Sequence, residues 1–420
     1  MHQRRVHPIR KAELILSIGL PKTYSMKILT AHNYYQQPGG EDAVFAAESA
    51  LLRQKGHEVI SFVDNNERID QTSRLATAAR TIWSSPSKAK LLELLRNERP
   101  DIAHFHNTFP LISPSTYDAC RVFDVPVVQT LHNYRLLCPV GTFYRKGRVC
   151  EDCLGHTVPL PGIRHACYHG SRAKTSVITA MITFHHWIRT WQEKVDIYVA
   201  LTEFSRRKFI EGGLPPEKIV VKPNFIHHDP GHDGRAPSHM LFVGRLAPEK
   251  GLKTLLDAWQ SVGDIPLKIV GNGPLQHELR DLIKTRNLRC VEMLGQCSHD
   301  SVIEHMRKAH CLIFPSEWYE GFPLSIAEAF ACGVPVIASR LGAMREIVDD
   351  ERTGLHFAPG DFEDLAGKVK WAWNHEKVIE EMGKSARRDY EKQYSAQGNY
   401  KMLLETYGLA IQKTQGHKSV

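Results

Sequence analysis

Beyond residue 26, apolar and polar positions fall into two successive alternations of short β-rich runs and stretches of helical period. In the first, residues 27–31, 58–63, 101–106, 125–131, 197–201 and 218–221 predict strands, and 41–55 and 87–97 predict helices. In the second, 240–243, 267–270, 311–314 and 335–338 predict strands, and 252–260, 275–286 and 324–331 predict helices. Strands separated by helices pair in parallel and are covered on both faces. Neither half repeats with a short period, so the pattern describes two similar α/β domains and no solenoid. The expected organisation is an extension over 1–25, a first domain over 26–225 and a linker over 226–238 that is dense in His, Asp, Gly and Pro. A second domain over 239–385, closing helices over 386–412 that cross back to the first domain, and a tail over 413–420 complete it.

A length of 420 residues suits two domains, each with its own core, and 42% apolar with 24% charged residues is globular. No apolar run reaches the roughly 18 to 20 residues of a membrane span; the run over 177–188 is short and holds His185 and His186. The first 25 residues carry Arg4, Arg5, Arg10, Lys11 and Lys22 around a brief apolar patch, without a small-residue cleavage site, and make a poor signal peptide. Because Met26 opens the first strand, the residues before it are expected to be an upstream start or a disordered tail. A net charge of +8 suits anionic substrates or an anionic membrane surface. Nucleic acid is set aside, because the basic residues are dispersed and no basic helix is interleaved with aromatics. Nine cysteines without a secretory signal point to the reducing cytoplasm.

In parallel sheets, ligands gather beyond the carboxyl ends of the strands, where Asn33, His106, His132 and Thr202 fall. The loop Gly244-Arg245-Leu246-Ala247-Pro248-Glu249-Lys250-Gly251 puts two cations and several amides at that edge, which suits a diphosphate as well as it suits a solvated turn. The loop from Pro315 to Leu324 joins another strand to a helix, and Pro323 near the first turn leaves amides free to meet an anion. Glu320 lies in this loop and Glu328 eight positions on in the helix; both are either sugar-binding carboxylates or solvated surface groups. Gly39-Gly40-Glu41-Asp42 starts a helix, either as a backbone approach to a ligand or as a flexible turn.

Gly244-Arg245-Leu246, Glu249-Lys250-Gly251, Gly271-Asn272-Gly273-Pro274, Glu320-Gly321-Phe322-Pro323, Glu328-Ala329 and Cys332-Gly333-Val334-Pro335-Val336, in this order and spacing, closely resemble glycosyltransferase family 4. The resemblance runs from Met26 to about Gln412 and is strongest over 240–350. It implies the GT-B fold of two facing Rossmann-like domains, and sugar transfer with retention of configuration without an obligatory metal. The chain has no Asp-x-Asp, the pattern with which another class of transferase holds a divalent cation. By the resemblance, Arg245 and Lys250 neutralise the departing diphosphate with the amides near Gly321, Phe322, Pro323 and Leu324. Glu320 holds donor-sugar hydroxyls, Glu328 holds the nucleotide ribose, and Gly39, Gly40, Gly244, Gly271 and Gly273 line the donor. His132, in Thr130-Leu131-His132-Asn133, stands over the donor sugar. The family's second glycine after Ala338 is Ala343 here, following Gly342, which is a local departure.

Cys138, Cys150, Cys153 and Cys167, with His156, His165 and His169 nearby, are a further departure. They are either a structural zinc knuckle or free thiols. The expected function is a retaining glycosyltransferase of hexosyl type. It would act on a UDP- or GDP-sugar and a glycan or lipid-linked glycan acceptor, in cell-surface polysaccharide synthesis, peripheral on the cytoplasmic membrane face. The alternatives are a non-catalytic nucleotide-sugar-binding or scaffold protein, and a nicotinamide dehydrogenase. The latter is disfavoured because no Gly-x-Gly-x-x-Gly follows the first strand.

Overall fold

The computed structural model describes residues 25–37, 39–232, 234 and 237–416. The extension expected over 1–25 lies outside these apart from Ser25, as do the last four residues of the expected tail. Two six-stranded parallel sheets organise the chain.

The first sheet takes β1 (Lys27–Tyr34), β2 (Glu58–Asn65), β3 (Ile102–Asn107) and β4 (Val127–Leu131). A small hairpin of β5 (Tyr144–Arg145) and β6 (Arg148–Val149) interrupts the alternation before β7 (Ile197–Ala200) and β8 (Ile219–Val221). The spatial order is β2-β1-β3-β4-β7-β8, so the direction of winding reverses between β1 and β3. The second sheet is built from β9 (His239–Val243), β10 (Leu267–Val270), β11 (Val291–Gly295), β12 (Ala309–Phe314), β13 (Val336–Ser339) and β14 (Gly354–Phe357). Its order is β11-β10-β9-β12-β13-β14, reversing between β9 and β12. Such switch points open a crevice at the carboxyl ends of the strands. The loops after β1, β3, β9 and β12 therefore meet at the cleft, and they carry Gly39-Gly40, the segment beyond His106, the Arg245–Lys250 stretch and Glu320.

The central strands β3, β4, β7 and β12 are buried along their whole length, as a sheet covered on both faces requires. Sequence pattern missed the edge strands β11 and β14. Four or five residues that include Glu292, Gly295, Gly354 and His356 do not form an apolar run. The helix Glu376–Asp389 packs on the second domain, whose core takes in Ala386, Tyr390 and Tyr394. The chain then crosses over, and the helix Ala396–Gly416 buries Leu403, Leu404, Tyr407, Ala410 and Ile411 against Ile28, Val128, Ile197 and Val199 of the first sheet. Among the described residues, no helix is long and apolar enough to cross a membrane.

Candidate active site

The second domain presents its chemistry on two neighbouring loops. After β9, the chain turns through Pro248–Lys250 and reaches Gly251 at φ 67°, a left-handed conformation that favours glycine. A Cβ there would sit 1.9 Å from the Pro315 carbonyl oxygen, so this glycine lets the two loops touch. The contact brings Lys250 Nζ to 2.7 Å from Glu320 Oε1. Ser316 Oγ and Trp318 Nε1 donate to the same oxygen, each at 2.7 Å. Glu320 is 6% exposed. Among the described residues, its Oε2 has no hydrogen-bond partner, and neither do the amides of Gly321, Phe322 and Leu324.

The other expected donor groups sit differently. Arg245 pairs with Glu249 four residues on, and its side chain is 60% exposed at the rim. Glu328 is largely buried in the helix Leu324–Ala331, with His299 Nδ1 at 3.7 Å; burial raises its pKa, and the histidine only partly offsets that. Gly271 and Gly273 serve close packing of loop on loop. A Cβ would lie 1.9 Å from the Gly244 carbonyl oxygen in the first case and 2.4 Å from that of Leu246 in the second. Gly244 abuts the Phe242 ring. Phe322 is buried with its ring 5.5 Å from that of Tyr394, and Pro323 occupies the N-cap position of the helix.

The first domain faces these loops closely. A Cβ on Gly321 would approach the carbonyl oxygen of His132 to 2.5 Å, and one on Gly40 would lie 3.8 Å from Leu324. Gly39 donates its amide to Asp42 Oδ2 at 2.7 Å, capping the helix Gly40–Gln54. Glu346 of the second domain accepts the amides of Glu203 and Phe204 at 2.7 Å each, at the start of the helix Glu203–Glu211 in the first. Asn33 and Thr202, though at strand ends, are structural. Asn33 is bonded to Asn66 and the Leu111 amide, and Thr202 caps a helix.

His132 lines a cavity enclosing about 530 Å³ with its open mouth, together with His106, Asn107, Asn133, Arg135 and Trp191. Asn133 also donates to Glu41 at 2.7 Å. Behind His132 is a charged cluster that sequence reasoning did not find, involving Glu48, His104 and Lys222. The only available sign was that Glu48 falls on the buried helix face, three or four residues from Val44, Phe45, Leu51 and Leu52.

Cys138, Cys150, Cys153 and Cys167 all line a second, tight pocket, and none forms a disulfide. Gly155 at φ 75° shapes the turn after Cys150-x-x-Cys153. Burial, then the neighbouring Cys138 sulfur, pushes the Cys153 thiol up to about 12. Among the described residues, the one trio of metal-type ligand atoms within 4.8 Å of each other is Glu48, His104 and His106, so the four sulfurs stand around their cavity wider than ligating distance.

Comparison with known proteins agrees with this architecture. The family model described as Glycosyltransferase Family 4 matches residues 38–230, and that described as Glycosyl transferases group 1 matches 233–389. An uncharacterized glycosyltransferase of Methanocaldococcus jannaschii is 36% identical over 155 residues, 37% of this chain and 43% of that protein. O-antigen chain mannosyltransferase C of Escherichia coli is 28% identical over 192 residues, 43% of this chain and 52% of that one. The chain thus spans about half the length of these relatives. A glycogen synthase of Mycobacterium tuberculosis is 30% identical over 312 residues, 72% of this chain and 67% of that one. Among solved structures, Anabaena HepE in complex with UDP superposes with TM-score 0.66 at 18% identity, over 91% of this chain and 99% of that one. A Rickettsia africae glycosyltransferase gives TM-score 0.68 at 17% identity, over 93% and 99%.

Proposed function

The chain belongs to glycosyltransferase family 4 and has the GT-B fold, and from that premise we propose that it moves a sugar from a UDP- or GDP-linked donor to a glycan or lipid-linked glycan, with retention of configuration. The observation that carries this reading is the convergence of Lys250, the held carboxylate of Glu320 and the unpaired amides of Gly321, Phe322 and Leu324 opposite His132. Charge builds on the leaving diphosphate in the transition state, so a fixed ammonium and preorganised amides stabilise the transition state more than the bound donor. Lys250 supplies the positive charge that a metal ion provides in other transferases. Arg245 joins it by turning from Glu249, and Glu328 holds the ribose. A uridine donor is supported by the UDP in the Anabaena structure, and a polysaccharide acceptor by the O-antigen relative.

Association with the cytoplasmic membrane face is supported by Leu75 and Trp187, 85% and 78% exposed on the helices Arg74–Ile82 and Arg172–Trp187. These helices pack on each other, and their Thr81 and Met181 line the cavity beside His132. A lipid-linked acceptor could enter from a membrane bound there, with Arg74 and Arg172 beside anionic headgroups.

The four-cysteine cavity is read as a structural zinc site. Cys138, Cys150, Cys153 and Cys167 would hold the ion as thiolates, and it would supply a structural tie between the β5–β6 hairpin and the loop after His132.

The deciding experiment incubates purified protein with UDP- and GDP-sugars and measures release of the nucleoside diphosphate. Release from one donor, lost in Lys250→Ala and Glu320→Ala, supports transfer and names the donor. No release, together with no donor binding by calorimetry, would overturn the enzymatic reading in favour of a scaffold.

A further inference from the structure

Beneath the cleft lies a group of ionisable side chains that the chemistry above leaves unused. Glu48, from the middle of the helix Gly40–Gln54, is 2% exposed. Its Oε2 accepts from Lys222 Nζ at 2.9 Å, and Lys222 is itself 1% exposed. Its Oε1 receives no hydrogen bond among the described residues and lies 3.2 Å from His104 Nδ1 and 3.5 Å from His106 Nε2, close enough for charge to favour an N–H on the facing nitrogen. On its far side, His106 meets His132, with Nδ1 and Nε2 3.0 Å apart. His104 is anchored between the Tyr407 hydroxyl at 2.9 Å and Thr130 Oγ1 at 2.8 Å. The rings of His106 and His132 are stacked, with centroids 5.2 Å apart. The ligand atoms of Glu48, His104 and His106 are close enough together to hold a metal, but the Lys222 ammonium already supplies the positive charge there.

The proton positions follow from charge counting. The carboxylate of Glu48 and the ammonium of Lys222 balance in a site sealed from water, while the neighbouring buried carboxylate of Asp42 is engaged by His32 Nε2 at 2.6 Å, so a further cation on His106 or His132 would be uncompensated. Burial first, and then the neighbouring histidines, keep His106 and His132 neutral: His106 is held down to about 3 and His132 well below its ordinary value. A neutral imidazole has one N–H, and the nitrogen nearest a carboxylate takes it, because a lone pair there would face another lone pair. His106 therefore carries its proton on Nε2, toward Glu48. Its Nδ1 is then an acceptor, which requires His132 to donate from Nε2. His132 Nδ1 is left with a lone pair. It has no protein partner among the described residues and is not sealed from solvent, and the ring lines the cavity.

We propose that Glu48 and His106 are positioning residues that lock His132 in its Nε2-protonated neutral form, so that Nδ1 faces the cavity as a hydrogen-bond acceptor for a substrate hydroxyl. The relay transfers no net proton; it fixes which end of the ring donates and which accepts. The identity of the hydroxyl rests on the glycosyl-transfer reading, whereas the tautomer does not.

The test is nuclear magnetic resonance of protein labelled with ¹⁵N at histidine, with the His132 signals assigned by their disappearance in His132→Gln. The expected result is a neutral His132 protonated on Nε2 between about pH 6 and 8. A His132 that is protonated on Nδ1, or is an imidazolium at neutral pH, would overturn the proposal whatever the protein catalyses. In Glu48→Gln the amide can offer N–H to His106 and reverse the relay, so an Nδ1-protonated population of His132 is expected. With it, KM for the nucleotide sugar should rise about ten-fold, as for a lost hydrogen bond, while binding of the free nucleoside diphosphate stays unchanged. A tautomer unchanged in that variant would show that Glu48 does not set it. Where the variant fails to fold, the wild-type spectrum still overturns the proposal if His132 is found protonated on Nδ1 or charged.

Discussion

The ammonium of Lys250 and the carboxylate of Glu320, on loops following the adjacent strands β9 and β12, stand 2.7 Å apart, with three donors converging on the single oxygen Oε1. This arrangement fixes the carboxylate and leaves Oε2 open to the cleft, while the lysine keeps its remaining donors for an anionic ligand.

Removing either partner should damage turnover differently. Lys250→Ala is expected to lower kcat about 100-fold or more, the effect of losing a preorganised charge donor. Glu320→Gln keeps the shape but weakens the hold on sugar hydroxyls, so kcat/KM for the nucleotide sugar should fall while binding of the free nucleoside diphosphate, by calorimetry, is kept. Equal loss of nucleotide binding in both variants would contradict this division.

Gly321→Ala tests how closely the domains must approach. The added Cβ would meet the His132 carbonyl oxygen at 2.5 Å, a backbone atom that cannot rotate away. Donor turnover should drop at least about ten-fold, with the melting temperature lowered only slightly, because the clash lies between domains and not within a core. Unchanged steady-state kinetics would show that catalysis occurs with the domains further apart.

Acid should destabilise the fold well before its carboxylates titrate. Burial holds His106 down to about 3, and His185 and His239 down to about 4. Between those values and the unfolded value of about 6.5, the unfolded chain binds protons that the folded chain does not, so stability falls as pH falls. It is fully present above about pH 6.5 and declines by up to about 1.4 kcal/mol per pH unit per group below it. Urea midpoints measured at successive pH values should follow this course, and a midpoint flat from about pH 7 to 5 would refute it.

Elemental analysis of the purified protein should find one zinc per chain, displaced by a chelator together with a gain of four reactive thiols. Cys150→Ser/Cys153→Ser should lose the metal and lower the melting temperature. Metal-free protein with all four thiols reactive would leave the cluster as plain cysteines.

The sequence by itself determined the two alternations and the loops that carry Lys250 and Glu320. Strand, loop and helix are written in local periodicity, and the residues at a strand's carboxyl end follow from chain order alone. It also placed four cysteines within thirty residues, whose gathering around one pocket is a tertiary result. Only the tertiary structure decided which charges face each other. Arg245 and Lys250 lie five positions apart in one loop, yet one pairs outward with Glu249 and the other inward with Glu320. Glu48 in mid-helix is indistinguishable in sequence from a solvated glutamate. It becomes the hub of a buried cluster because parallel winding carries Lys222, 174 residues away, and the two β3 histidines to its side. Ion pairing of this kind depends on distance through space and on exclusion of water, and neither is set until both sheets and the crossing helix have packed.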